Sequence, residues 1–185
     1  MRYRGIAWVG ALVAATIWLA GVGPGRAANE IADSDREFLT EAASGGPMEV
    51  ELGRTAAKNA GHKRVKEFGQ RMAVDHGKAD AELKRIAARK NVALPAEPAD
   101  ALRQKMERLS QLKGDEFDRA YMKEMVDDHE HDVEKFREAS KEAKDPDVKA
   151  FAAKTLPTLE AHLRMAKDVA NEVHATSSGA GKHPR

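Results

Sequence analysis

Glu49, His76, His129 and His162 are the residues of this chain best suited to chemistry, because each stands in an otherwise apolar helical seam on a different segment. Imidazole and carboxylate together suit zinc, copper, iron or manganese, and three histidines plus one glutamate around a divalent ion would leave a net charge of about +1. The pattern predicts a transition-metal site inside a helical bundle. It also fits a buried polar layer in which the carboxylate and imidazoles hydrogen-bond and fix the register of the helices. Asp75 and Asp128 each precede a seam histidine, about 100° around the helix. From there they are expected either to turn inward as ligands or to accept an imidazole N–H from a neighbouring helix. Tyr121 shares the seam of His129, as a hydrogen-bond donor near the site or a core aromatic. Met72, Met125 and Met165 fall on one side of the histidine layer, where thioethers favour copper or simply fill gaps. No Ser/His/Asp or Cys/His arrangement and no Gly-rich phosphate loop occurs, so no residue is assigned as catalytic.

The segments that must position these residues are helical throughout, and the fold class is all-α. The first helix is expected from Ser34, an N-cap type residue followed three later by Glu37, to about Ala60, with Phe38, Ala42, Gly45, Glu49, Leu52 and Ala56 inward. Gly45-Gly46-Pro47 interrupts it, and a proline there predicts a kink. The second follows Gly61 and ends near Lys90, with Val65, Phe68, Met72, His76, Ala79, Leu83 and Ile86 as the cleanest heptad. Between Asn91 and Gly114, Pro95 and Pro98 break the chain, and Leu102, Met106 and Leu109 mark a short extra helix. A third long helix is expected from Asp115 to Lys141, with Phe117, Tyr121, Met125, His129, Val133 and Phe136 inward. The fourth begins at Asp145-Pro146, a cap followed by proline at the first helical position. Its seam is Val148, Phe151, Thr155, Leu159, His162, Ala166 and Val169, with a bend at Pro157. The Ser/Gly-rich tail, 175–185, is expected to be disordered.

Short turns at Gly61 and Asp145 make each helix pair antiparallel, whereas the stretch from Asn91 to Gly114 can cross the bundle, reaching roughly 50 Å. One long crossover between helices 2 and 3 is the ferritin-like four-helix arrangement. Counted from the tight turns, Glu49, His76, His129 and His162 lie at similar heights and can form one layer.

Residues 1–27 read as a signal peptide. Arg2 and Arg4 form a basic start, Ile6 to Val22 is uncharged, and Gly25-Arg26-Ala27 offers small residues at a cleavage site after Ala27. A periplasmic or secreted protein follows, the alternative being an N-terminal membrane anchor, since about 17 apolar residues are at the lower edge of a span. Cleavage removes Arg2, Arg4 and Arg26 and no acid, so 31 basic residues become 28 against 30 acidic, a net charge near −2. Acids and bases alternate along every segment, which argues against nucleic acid as a partner. No helix after the signal is expected to insert stably in a membrane. There is no cysteine, so the domain at 28–174 holds by packing alone.

The stretches Asp35-Arg-Glu-Phe-Leu, Met48-Glu-Val-Glu-Leu-Gly53, Phe68-Gly-Gln-Arg-Met-Ala-Val-Asp-His76, Phe117-Asp-Arg-Ala-Tyr121 and Leu156-Pro-Thr-Leu-Glu-Ala-His162-Leu resemble a bacterial family of exported proteins that carry a domain of unknown function. That family is regarded as ferritin-like and often labelled outer membrane. The resemblance spans about Asp33 to Val173 and places Glu49, Asp75, His76, Tyr121, His129 and His162 at the family's characteristic positions. It implies a fold and a compartment but no activity, and a helical bundle has no barrel strands to support the outer-membrane label. Di-iron proteins use Glu-x-x-His on two helices, whereas Ala73, Val126 and Leu159 stand three before the histidines here. Bridging carboxylates are too few, and a single ion is expected.

Overall fold

The computed structural model describes residues 31–179. Residues 1–27, read above as a signal peptide, and residues 180–185 of the expected tail lie outside the described residues. Five helices follow one another: α1 (Asp33–Asn59), α2 (Lys63–Arg89), α3 (Asp100–Gln111), α4 (Gly114–Glu142) and α5 (Pro146–Gly179). Among the described residues there is no strand, only an isolated bridge between Ala60 and Gly114. None of these helices is long and apolar enough to cross a membrane.

Contacts at the helix ends fix the directions. Arg64, at the start of α2, pairs with Glu172 near the end of α5, and Arg89, at the end of α2, reaches Asp147 at the start of α5. Likewise Asp35 of α1 meets the loop after α4, and Asp118 of α4 meets the turn after α1. The hairpins α1–α2 and α4–α5 therefore lie side by side, and the segment carrying α3 runs the full length of the bundle, as its length predicts. The end of α2 is closed by Asn91 at φ 55°, with Val92 N–H donating to the Ala87 carbonyl at 2.9 Å, a left-handed C-terminal cap.

The two loops that join paired helices are each held by a buried carboxylate from the opposite hairpin. Asp118 accepts from the backbone N–H of Gly61 (3.2 Å) and His62 (2.7 Å), and Asp35 accepts from Lys144 (3.0 Å) and Asp145 (2.6 Å). Charge-assisted bonds of this kind satisfy loop amides that burial would otherwise strand, and they pin the hairpins in register. Asp145 in turn caps α5, accepting from the N–H of Asp147 at 2.9 Å, with Pro146 at the first helical position as expected.

Three expectations are corrected. α1 begins at Asp33 without a side-chain cap, not at a Ser34 cap, since Arg36 N–H bonds the Ala32 carbonyl and Asp33 and Asp35 supply acid to the first turn. The fully buried residues of the first half of α1 are Asp35, Leu39 and Ala43, while Phe38 and Ala42 are partly buried and still pack against the core, Phe38 edge-on to Phe136 at 4.9 Å. The helix runs unbroken through Gly45-Gly46-Pro47, but its inward stripe changes register there and resumes as Glu49, Leu52 and Ala56. Residues 175–179 belong to α5 instead of the tail, because no proline or glycine intervenes before Gly179 and the Thr176 hydroxyl bonds back to the Glu172 carbonyl.

Glycine sets the α1–α2 distance. A Cβ on Gly53 would stand 2.4 Å from the Gly69 carbonyl oxygen, and one on Gly69 would stand 2.5 Å from the Ala56 Cβ. The backbones touch one turn beyond Glu49, and this brings α1 and α2 close enough for Glu49 to reach His76. Two apolar clusters fill the bundle. One gathers Leu39, Leu83, Val133, Phe136, Phe151 and Leu159, the other Leu52, Phe68, Met72, Met125, Tyr121 and Ala166. On every long helix the polar residue of interest stands where one cluster gives way to the other.

Candidate metal centre

Each histidine is delivered by a different helix and stands between buried apolar residues one or two turns away: His76 between Met72 and Leu83, His129 between Met125 and Val133, His162 between Leu159 and Ala166. All three are buried, His129 and His162 completely. Their ring centroids form a nearly equilateral triangle of 5.3, 5.4 and 5.5 Å. One ring nitrogen from each lies within 4.8 Å of those of the other two.

Each ring has one nitrogen engaged by an acceptor and one with no partner. His76 Nδ1 is 2.7 Å from Glu49 Oε2, His129 Nδ1 is 2.9 Å from the Met125 carbonyl oxygen, and His162 Nε2 is 3.1 Å from Asp75 Oδ2. A backbone carbonyl or a carboxylate accepts, so these nitrogens carry the protons. His76 Nε2, His129 Nε2 and His162 Nδ1 are then lone pairs, buried and without a hydrogen-bond partner. Buried acceptors left unsatisfied cost about 1–3 kcal/mol each, and three of them in one cluster of imidazoles suit the donor set that a transition metal requires. Imidazoles on one tetrahedral zinc sit with nitrogens about 3.3 Å apart, so closing on an ion takes no more than about 1.5 Å of ring movement.

Electrostatics favour the same protonation pattern. Burial pulls His76, His129 and His162 down to about 4, keeping the rings neutral and able to bind metal at pH 7. Burial also pushes Glu49 up to about 7, opposed by the neighbouring His129. A cation beside Glu49 would restore its carboxylate form.

The structure brings Glu49, His76, His129, His162 and Asp75 together. Glu49 stands behind the His76 ring, with Oε1 3.6 Å from His129 Nδ1 and otherwise unpartnered. Asp75 is held on its other side by Arg71 and Lys78, and its pKa is lowered: the His162 hydrogen bond and these cations outweigh burial. Asp128 does not reach a histidine. Its Oδ1 pairs with Lys105 of α3 at 2.7 Å, because the 100° offset turns it toward the crossover. Tyr121 is fully buried, stacked on Phe117, with a partnerless hydroxyl whose pKa burial and the Glu49 charge raise. Met72, Met125 and Met165 do share the second cluster, on one side of the rings.

Asp132 was not apparent as a site residue. It stands three residues after His129, hence on a neighbouring face of α4, and lines a cavity with Glu49 and His76. Burial and the Glu49 charge push it up to about 8. The His-x-x-Asp spacing was the available signal, but nothing in the sequence distinguishes Asp132 from the other acids of α4.

No curated protein and no solved structure matches the chain. The family described as a domain of unknown function (DUF4142) matches residues 20–169. With most of the chain inside that match, the protein belongs to this family.

Proposed function

We propose that the protein is an exported, ferritin-like four-helix bundle that holds one transition-metal ion on His76, His129 and His162, in metal sequestration or protection from metal stress. The observation that carries this reading is the meeting of three buried imidazoles from three helices, with one ring nitrogen of each within 4.8 Å of the other two and one nitrogen of each ring lacking a hydrogen-bond partner. Glu49 and Asp75 act behind the rings: each accepts an imidazole N–H, fixes the tautomer and makes the ring a stronger donor, a role whose loss typically costs 10–100-fold in metal affinity. Three protein nitrogens leave a fourth position open, which water would fill. Zinc, copper, iron and manganese all suit this donor set; Met72, Met125 and Met165, gathered in the apolar cluster on one side of the histidine layer, would favour copper if a thioether joined it. Ferritin-like topology is supported by two antiparallel hairpins joined by a full-length crossover, and export to the periplasm by the basic start, apolar run and small-residue site of residues 1–27.

Elemental analysis of untagged protein from the periplasm tests this reading. One ion per chain is expected in the wild type and none in a Glu49→Gln/His76→Leu/His162→Leu variant. Metal-free wild type that also takes up no ion on titration would reduce the layer to a device for helix register.

A further inference from the structure

We infer that the centre is loaded through a port between α1 and α4 at Gly45, and that the port admits a small hydrated divalent cation; this rests on the metal reading above. An internal cavity of about 60 Å³ reaches Glu49 and His76, and an outer groove of about 700 Å³ runs along α1, α4 and the start of α3. The two spaces share Glu41, Gly45, Glu49, Asp132 and Lys135, so they meet between the helices one turn from the centre.

Gly45 keeps that junction open. It precedes Glu49 by one turn on the same face, and a Cβ on it or on Gly46 would meet nothing within 4 Å. A larger side chain at Gly45 would therefore extend into the passage without a clash at its root. The cavity holds a few waters at most, which limits the traffic to an ion with part of its hydration shell. The charge has the matching sign. Asp33, Glu37, Glu41 and Asp128 line the groove against the two cations Arg36 and Lys135. Walls of one sign with low-dielectric backing concentrate the opposite ion.

At the inner end stand Glu49 Oε1 and His76 Nε2, both buried and partnerless, the first groups of the centre an incoming cation would meet. Across the outer mouth Lys135 donates to Glu41, with His131 Nε2 3.5 Å from the same carboxylate, so an ion pair spans α1 and α4 where the ion must pass. The register change at Gly45-Gly46-Pro47 belongs to this arrangement: it leaves Phe38, Ala42 and Gly45 facing the cavity while Leu39 and Ala43 carry the packing.

Stopped-flow uptake of zinc by the metal-free full chain, and its release to a chelator, distinguish port from centre. Gly45→Leu is expected to slow uptake and release alike by about tenfold or more, with stoichiometry and Kd unchanged. Lys135→Met, which removes the cation from the mouth and sits on the surface, is expected to speed uptake about threefold. Wild-type rates in Gly45→Leu that still binds zinc would overturn the port and move the route to the partly exposed Asp75 side. Should Gly45→Leu not fold, unchanged uptake in Lys135→Met overturns it by itself. A wild type that binds no ion overturns the metal reading, and the port with it.

Discussion

Saturating chelator-stripped protein with its preferred divalent ion is expected to raise the melting temperature by roughly 8–16 °C. A ligand at a thousand times its Kd stabilises the native state by about 4 kcal/mol, and each kcal/mol moves the midpoint of a domain of this size by about 2–4 °C. The variant that isolates the effect is His129→Leu. The engaged nitrogen of His129 bonds a helical carbonyl, which keeps its own intrahelical bond, and Glu49, 3.6 Å away, keeps its shorter bond to His76, so leucine leaves no group without its main partner. Removing His76 would instead leave Glu49 Oε2 buried and alone. His129→Leu should therefore fold as stably as the metal-free wild type, or more so, since a buried polar group gives way to an apolar one of similar volume. It should lose the metal-dependent shift. Differential scanning fluorimetry across zinc, copper, iron and manganese reads both; an equal shift in wild type and variant would place binding elsewhere.

Stability of the metal-free protein is expected to peak a little above pH 6 and to fall by about 2 kcal/mol on acidification to pH 4.5. The three imidazoles are held at about 4 in the fold, against 6.5 for the exposed group. The unfolded chain therefore binds three protons that the fold refuses, and stability present above pH 6.5 is lost as the pH falls toward 4. Glu49 and Asp132 act in the opposite sense. Raised to about 7 and about 8, they keep protons that the unfolded chain has already released, and the stability they contribute at low pH is lost as the pH rises through those values. Between about pH 4.5 and 6 three protons outweigh two, one net proton being worth about 1.4 kcal/mol per pH unit, and the advantage fades as the exposed imidazoles lose their protons near 6.5. Beyond that the acids dominate and the slope reverses. Urea midpoints measured with chelator present follow this curve; a midpoint that falls steadily from pH 4.5 to 6.5 would mean that the rings are charged in the fold.

The long helices and their pairing were legible because burial imposes a period on the chain. In α2 and α4 the expected inward residues are buried with only Ala79 less so, even though the steps of four in α4 drift from an ideal seam. α1 was read less well: periodicity carried its stripe straight through Gly45-Gly46-Pro47, whereas the observed face changes register there. A one-residue slip at a site with no side chains has no signature in a hydrophobic pattern. The histidine layer was legible for the same reason as the core, since polar residues on buried faces stand out. The division of labour within it was not. That Glu49 and Asp75 face N–H groups while Asp128 turns to Lys105 depends on which helix lies across from each, and that requires the packing of hairpin on hairpin. The reciprocal locks of Asp35 and Asp118 were hidden likewise, because each joins residues more than fifty positions apart.

Anomalous X-ray diffraction from crystals of the metal-loaded protein, recorded on either side of the metal edge, bears most directly on the site. A three-histidine centre requires one peak per chain at about 2.0–2.2 Å from His76 Nε2, His129 Nε2 and His162 Nδ1, with Glu49 and Asp75 still holding the opposite N–H of their rings. A peak confined to surface carboxylates, with the three rings bridged by water instead, would contradict it.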